Sequence, residues 1–354
     1  MSKLLSAPFS VVLSVTNKCN MRCKHCFASA GSDKNSECNL DVWLKILDKL
    51  SEYGVFELTF SGGEPLVVPY IKDILSYATE KGFRCSLNTN ASLVTEEMAQ
   101  FLNDLPMRGR ISISFDGPEA ESYELLRSHN TFESVIKGIK YLTQYKNLNV
   151  RLFCVVTKYN YLLLEDIAEQ AKRLSAKSLE FNLFCPVGYG KQTVGELLLD
   201  RNEYTLACEK IISLHKKYGN FVGGTFYKNA LLYKEYLRRK LNGFVPNTGT
   251  ISDCGAAKSS VVLYADGHIS PCEMLAGVDC GNINNDDFLD IWRNSNILND
   301  FRNLSSISID NIKDCRHCVI KDKCAGGCRA VSYYNGDILG NNDYCLKNIL
   351  NQND

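Results

Sequence analysis

Between residues 9 and 185, six short runs rich in β-branched and aromatic residues alternate with longer amphipathic stretches. FSVVLSV is followed by DVWLKILDKLSEYG, FELTF by YIKDILSYATEKG, and RCSLNTN by TEEMAQFLNDL. RISISFDG leads into FESVIKGIKYLTQY, NVRLFCVVT into LLLEDIAEQAKRLSA, and SLEFNLFC closes the series. Apolar residues recur every three or four positions in the long stretches, and Gly, Asn or Asp bounds the short ones. Strands alternating with helices pair in parallel through right-handed crossovers, so the expected fold is α/β, a partial (β/α)6 TIM-type barrel over 1–200. Chemistry in such a barrel sits on the loops that follow the strands.

The remainder reads differently. Residues 201–250 are helical and charged, ending in the Gly-, Asn- and Pro-containing stretch NGFVPNTGTISDC, and are expected to bridge two domains. Residues 251–354 carry one hairpin-like stretch, SSVVLYADGHISPC, with Ala265-Asp266-Gly267 as its turn, then short elements among cysteines. A small cysteine-rich α+β domain is expected there.

Cysteine is the unusual component: there are 16, in a chain whose 40 basic and 40 acidic side chains cancel. That balance leaves no broad basic face for nucleic acid. No apolar run reaches the roughly 20 residues of a membrane span, and the early LLSAPFSVVLSV runs into TNKCN without a cleavage site. The chain is therefore expected to be soluble and cytoplasmic, where dense cysteine usage points to metal or redox chemistry and not to disulfides. Cys19, Cys23 and Cys26 form one group, and Cys254, Cys272, Cys280, Cys315, Cys318, Cys324, Cys328 and Cys345 crowd the C-terminal third. Cys38, Cys85, Cys154, Cys185 and Cys208 are scattered and read as small buried hydrophobes.

The first group, Cys19-x3-Cys23-x2-Cys26, falls in the loop after the first strand. Three thiolates hold a 4Fe-4S cluster with one iron open to a small-molecule ligand, whereas a structural zinc site closes with a fourth Cys or His, which His25 would supply here. Ser61-Gly62-Gly63-Glu64-Pro65 follows the second strand, where glycines let backbone approach a ligand and Glu64 can accept from an ammonium. Together the two motifs resemble those of the radical S-adenosylmethionine (SAM) superfamily. The resemblance implies that Cys19, Cys23 and Cys26 carry the catalytic cluster, that SAM chelates its open iron, and that Gly62, Gly63 and Glu64 contact the methionyl amine. It further implies that Asn88, Asn90, Ser114 and Asp116 line the SAM site and that Arg127 pairs with the SAM carboxylate. Strand ends favour Asn, Ser and Asp in any case. His25 stands where the family often has an aromatic residue.

The C-terminal pattern, Cys254, Gly267, Cys272, then Cys315-x2-Cys318-x5-Cys324-x3-Cys328 and Cys345, resembles the SPASM domain, which binds two auxiliary 4Fe-4S clusters. By that resemblance Cys315, Cys318, Cys324 and Cys345 hold one cluster, and Cys254, Cys272 and Cys328 the other. The fourth ligand of the latter is either Cys280 or absent, leaving an open iron. Paired CxxC spacings also occur in zinc ribbons.

The resemblance implies three 4Fe-4S clusters, SAM and an electron donor such as flavodoxin or ferredoxin. An electron passed to SAM yields methionine and a 5′-deoxyadenosyl radical that abstracts a substrate hydrogen. The expected substrate is a ribosomally made precursor peptide, modified by a thioether or carbon-carbon crosslink or by epimerisation. Because the first strand starts near residue 9, a peptide-recognition domain is expected as a separate small protein. The alternatives are an enzyme acting on a haem or tetrapyrrole precursor, and a non-enzymatic iron-sulfur or zinc protein.

Overall fold

A computed structural model describes residues 4–31, 37–251, 254–342 and 344–350. The six expected strands are present as β1 (Ser10–Ser14), β2 (Glu57–Ser61), β3 (Arg84–Thr89), β4 (Arg108–Ser114), β5 (Val150–Val156) and β6 (Ser178–Leu183). Between them run α1 (Leu40–Glu52), α2 (Ile71–Glu80), α3 (Glu96–Asp104), the short α4 (Ala120–Glu124) with α5 (Phe132–Thr143), and α6 (Leu164–Arg173). Each helix buries one stripe: α1 covers the sheet with Trp43, Ile46, Leu47 and Leu50, spaced three, four and seven residues apart. The Asn39 side chain caps its N-terminus by accepting from Val42 N at 3.0 Å.

All six strands pair in parallel, in chain order. After β6 come two single turns, α7 (Tyr189–Gln192) and α8 (Val194–Leu197), then α9 (Arg201–Tyr218). The stretch read as wholly helical contains a further strand, β7 (Val222–Gly223), parallel to β6 and followed by α10 (Thr225–Leu241). Two residues are too few to show an alternation, which is why the sequence hid this strand.

The expected hairpin is β8 (Ser260–Tyr264) with β9 (Ile269–Ser270), antiparallel across the Asp266-Gly267 turn. Its placement was not legible in sequence: β8 pairs in parallel with β1, so one sheet runs β7-β6-β5-β4-β3-β2-β1-β8-β9 through both regions. The helices α11 (Phe288–Asn294), α12 (Asn296–Asn303), α13 (Lys321–Cys324), α14 (Arg329–Tyr334) and α15 (Leu346–Leu350) follow. Arg239 on α10 ties this segment back, reaching Asp322 Oδ1 at 2.6 Å and Glu235 Oε1 at 2.5 Å.

The sheet curls into an open barrel, because the loop after β6 touches the loop after β1. Tyr189 N donates to Cys26 O at 2.9 Å, and Thr193 Oγ1 to Lys24 O at 2.9 Å. Alternation sorts the strands into two faces: Leu58 and Phe60, Cys85 and Leu87, Ile111 and Ile113, and Leu152 and Cys154 pack outward under the helices. The inner face carries Ser61, Asn88, Ser112, Ser114, Arg151 and Glu180, so the lumen is polar, unlike the apolar filling of a closed eight-stranded barrel.

Leu58 is 0% exposed in this outer layer, so Leu58→Ala leaves a cavity and loses transfer free energy. The expected result is a lower urea midpoint at an unchanged m-value, corresponding to a loss of about 2–5 kcal/mol.

Candidate active site and cluster-binding loops

Lacking regular secondary structure, the loop carrying Cys19, Cys23 and Cys26 is held from several sides. Arg22 staples it internally, donating to Cys19 O at 2.7 Å and to Gly31 O at 3.0 Å. Ser128 Oγ accepts from Arg22 N at 2.7 Å, and Lys24 N donates to Leu126 O at 2.9 Å. Just after β3, Asn90 Nδ2 donates to Asn20 Oδ1 at 2.9 Å.

Beneath the loop lies a buried ion pair. Asp116, 0% exposed, accepts from Arg127 Nε at 2.6 Å through Oδ2 and from Val155 N at 2.7 Å through Oδ1. Arg127 also points Nη1 at Cys23 Sγ, 3.5 Å away, and Nη2 lies 3.3 Å from His25 Nε2. A fixed cation beside a thiolate favours its charged form. Sequence assigned Asp116 and Arg127 to the SAM site; the structure gives both of them partners within the protein. His25 is buried and pushed down to about 4, chiefly by desolvation. Its Nε2 is engaged by Asp116 and Arg127, and among the described residues no three His, Cys, Asp or Glu side chains converge as a single metal ion needs. The zinc site that His25 would complete has no support from these contacts.

The thiols of Cys19, Cys23 and Cys26 lie close enough to act on one another. Burial raises Cys19 and, with a further rise from Cys26 and Cys19, pushes Cys23 up to about 11. Iron must displace those protons, so cluster assembly and thiolate formation are one event.

The Gly62-Gly63-Glu64 segment abuts this loop. Gly63 N donates to Thr16 O at 2.8 Å and Glu64 N to Lys18 O at 2.9 Å. A Cβ on Gly63 would stand 2.2 Å from Lys18 O, closer than atoms approach. Glu64, 1% exposed, accepts from Leu66 N (3.1 Å) and Thr89 Oγ1 (2.7 Å) on Oε1, and from Asn90 N (2.7 Å) on Oε2. A carboxylate offers about four acceptor positions, which leaves one on Oε2 for an ammonium. Asn88 Nδ2 lies 3.3 Å from Ser61 Oγ, which in turn donates to Glu273 Oε1 at 2.8 Å. Ser114 ends β4 beside Phe153 of β5. Ser112 Oγ and His25 Nδ1 are buried with no hydrogen-bond partner among the described residues. Three neighbouring thiols, a glycine cradle, a free acceptor on Glu64 and these two open polar atoms fit a cluster with a small zwitterionic ligand. Glu273, Arg22 and Asn20 escaped the sequence reading because only the fold brings them here.

Two further groups of thiols gather in the C-terminal third. Burial pushes Cys315 up to about 12, with added effects from Cys324, Cys318 and Cys345. Cys324 rises to about 11 from burial and then from Cys318 and Cys345. Cys272 rises to about 12 from burial and then from Cys328 and Cys254. The structure thus brings together the two sets the sequence suggested. It places Cys280 elsewhere: after burial, the groups acting on it are Ser295, Asp279 and Arg302, and none is a cysteine. Arg329 stands between the sets, within reach of Cys315, Cys328, Cys324 and Cys345, with Nη2 anchored on Gly326 O at 2.6 Å.

Family models place the chain. The model "Radical SAM superfamily" matches residues 13–171, and "Iron-sulfur cluster-binding domain" (SPASM) matches residues 254–319. The chain belongs to the radical SAM superfamily and carries a SPASM domain: it is a radical SAM enzyme that takes SAM, a 4Fe-4S cluster and auxiliary iron-sulfur clusters. It is 27% identical over 342 residues to an AdoMet-dependent heme synthase of Nitratidesulfovibrio vulgaris, covering 94% of this chain and 90% of that protein. It is 25% identical to the mycofactocin maturase MftC of Mycobacterium tuberculosis (94% and 81% covered). The subtilosin biosynthesis protein AlbA of Bacillus subtilis is also 25% identical (97% and 70% covered). Streptococcus suis SuiB bound to its precursor peptide SuiA shares the fold with a TM-score of 0.75 at 19% identity, covering 97% of this chain and 77% of SuiB. No helix among the described residues is long and apolar enough to cross a membrane.

Because a Cβ at Gly63 would push the Lys18 carbonyl and the cysteine loop behind it, Gly63→Ala should lose the loop's cluster while leaving the C-terminal sets loaded. Iron analysis should fall by about four atoms per chain; an unchanged count would show that this contact does not set the loop.

Proposed function

We propose that this chain cleaves SAM reductively at the cluster of Cys19, Cys23 and Cys26 and uses the resulting radical to modify a ribosomally made peptide. Bound to that cluster, SAM supplies methionine and a 5′-deoxyadenosyl radical that abstracts a hydrogen atom. The protein's part is placement. Arg127 and Asp116 hold the thiolate loop, Glu64 offers its remaining acceptor to the methionyl amine, and Ser112, Ser114 and Asn88 present hydrogen-bonding groups on the inner barrel wall. Cys315, Cys318, Cys324 and Cys345, and separately Cys254, Cys272 and Cys328, hold the two auxiliary clusters, with Arg329 offsetting their negative charge.

The observation that carries the choice of a peptide is the charge pairing of the lumen. Arg151 Nη1 lies 3.5 Å from Glu180 Oε1, and Arg110 acts on the Glu273 carboxyl. A polar wall whose charged groups are partly paired suits an amide chain. A tetrapyrrole precursor, which carries several carboxylates, calls for unpaired cations. The names of MftC and AlbA accord with this reading. A haem-precursor substrate is the second reading, favoured by the likeness to AdoMet-dependent heme synthase. A small peptide-recognition protein and a flavodoxin- or ferredoxin-type donor complete the proposed reaction.

Anaerobically reconstituted protein should hold about twelve irons and release 5′-deoxyadenosine, whereas the Cys19→Ala, Cys23→Ala, Cys26→Ala variant should keep about eight and release none. A short peptide encoded beside the gene should stimulate release and change mass in parallel. Stimulation by a tetrapyrrole precursor instead would transfer the function to the second reading.

A further inference from the structure

Cys185 is one of the five scattered cysteines, yet its surroundings differ from those of the other four. It follows β6 on a loop pressed against the first cysteine loop. A Cβ on Gly188 would stand 2.3 Å from Phe27 O and 2.7 Å from Cys26 O, so only glycine allows this approach, and φ there is +59°. Tyr189 N donates to Cys26 O at 2.9 Å, and Val187 N to Cys185 O at 2.8 Å. The backbone bearing Cys185 is therefore fixed by the barrel.

Its thiol faces the other way, toward the C-terminal segment. Beyond burial, Cys328 is the group that acts on it. The Tyr334 hydroxyl, which accepts from Gly277 N at 3.4 Å, lies within reach of both Cys272 and Cys185. Cys254 and Cys328 both act on Cys272. Cys328 thus neighbours both Cys185 and Cys272, and Cys254 neighbours Cys272, so four thiols from three separate stretches of chain form one linked group. Cys280, the candidate nearer in sequence, runs alongside β9: its N donates to Ile269 O at 2.8 Å, and its thiol meets Ser295. The other scattered cysteines, Cys38, Cys85, Cys154 and Cys208, are buried in the core, while Cys185 is half-buried.

We propose that Cys185 is the fourth ligand of the auxiliary 4Fe-4S cluster whose other ligands are Cys254, Cys272 and Cys328. This rests on the reading above that those three hold a cluster. Ligation exchanges the Cys185 S–H bond for an Fe–S bond, releases the proton to solvent and moves no electron. A cubane held by three thiolates keeps one iron open, and the fourth thiolate closes it. The closed cluster has no iron with which to bind substrate, so its work is electron transfer. It also crosslinks the barrel to the C-terminal segment beside the catalytic loop.

The test uses the full chain carrying Cys19→Ala, Cys23→Ala and Cys26→Ala, in which every remaining iron belongs to the C-terminal sets. After anaerobic reconstitution and reduction, ¹³C-cyanide is added and its coupling to iron is read by pulsed EPR. With Cys185 present, about eight irons and no coupling are expected. Adding Cys185→Ala should keep the iron and switch the coupling on, while Cys280→Ala should leave it off. Should Cys185→Ala shed about four irons, Cys185→Ser, which retains a ligating oxygen, should restore them with shifted g-values. Coupling with Cys185 in place, or a spectrum indifferent to Cys185→Ala, would overturn the assignment. Only about four irons before any change at Cys185 would remove the cluster itself, and with it the reading beneath.

Discussion

An irregular loop that must present three thiols to one cluster cannot position itself, and here the buried pair of Asp116 and Arg127 does so. Removing one member of such a pair strands the other charge out of water, at a cost of about 3–5 kcal/mol. The pair draws together parts of the chain that are distant in sequence. Asp116 follows β4 and holds the β5 backbone through Val155 N, while Arg127 reaches the Cys23 sulfur and the His25 ring. Glu64 plays the matching part on the other side, locking the loop after β2 to the end of β3 through Thr89 and Asn90. The parallel sheet makes both possible, because it brings all of these strand ends to one rim.

That rim also explains why the cysteine-rich segment is part of the same machine. Strand β8 continues the sheet from β1, whose following loop carries Cys19, so the hairpin leading to Cys272 is registered residue by residue against the catalytic strand. Glu273, next to Cys272, accepts from Ser61 beside the glycine pair. Arg239 closes the far side by joining α10 to α13, which ends at Cys324. The loops bearing Cys19, Cys272 and Cys324 are thus tied together through sheet hydrogen bonds and ion pairs.

Much of this was legible in sequence. The six strands and their helices appeared where the hydrophobic period changed, and the hairpin was marked by Asp266-Gly267. The two cysteine-rich regions stood out by spacing, and the division of the second into two sets came from its resemblance to the SPASM domain. What escaped has identifiable causes. Strand β7 is two residues long, too short for any period. The β1–β8 pairing joins residues about 250 positions apart, and nothing local to either strand encodes it. Asp116 and Arg127 were recognisable as site residues, but that Arg127 turns toward Cys23 depends on the loop's path. Cys280 looked like a neighbour of Cys272 because it is near in the chain, but the chain returns alongside β9 and its thiol meets Ser295 instead.

The central claim is that three separate sets of thiols each hold an iron cluster around one barrel rim. Iron-edge anomalous diffraction from anaerobically reconstituted crystals tests it directly. Three compact iron peaks are expected, at Cys19/Cys23/Cys26, at Cys254/Cys272/Cys328, and at Cys315/Cys318/Cys324/Cys345. Anomalous signal at the zinc edge in their place, or no metal in the loop of Cys19, would contradict it.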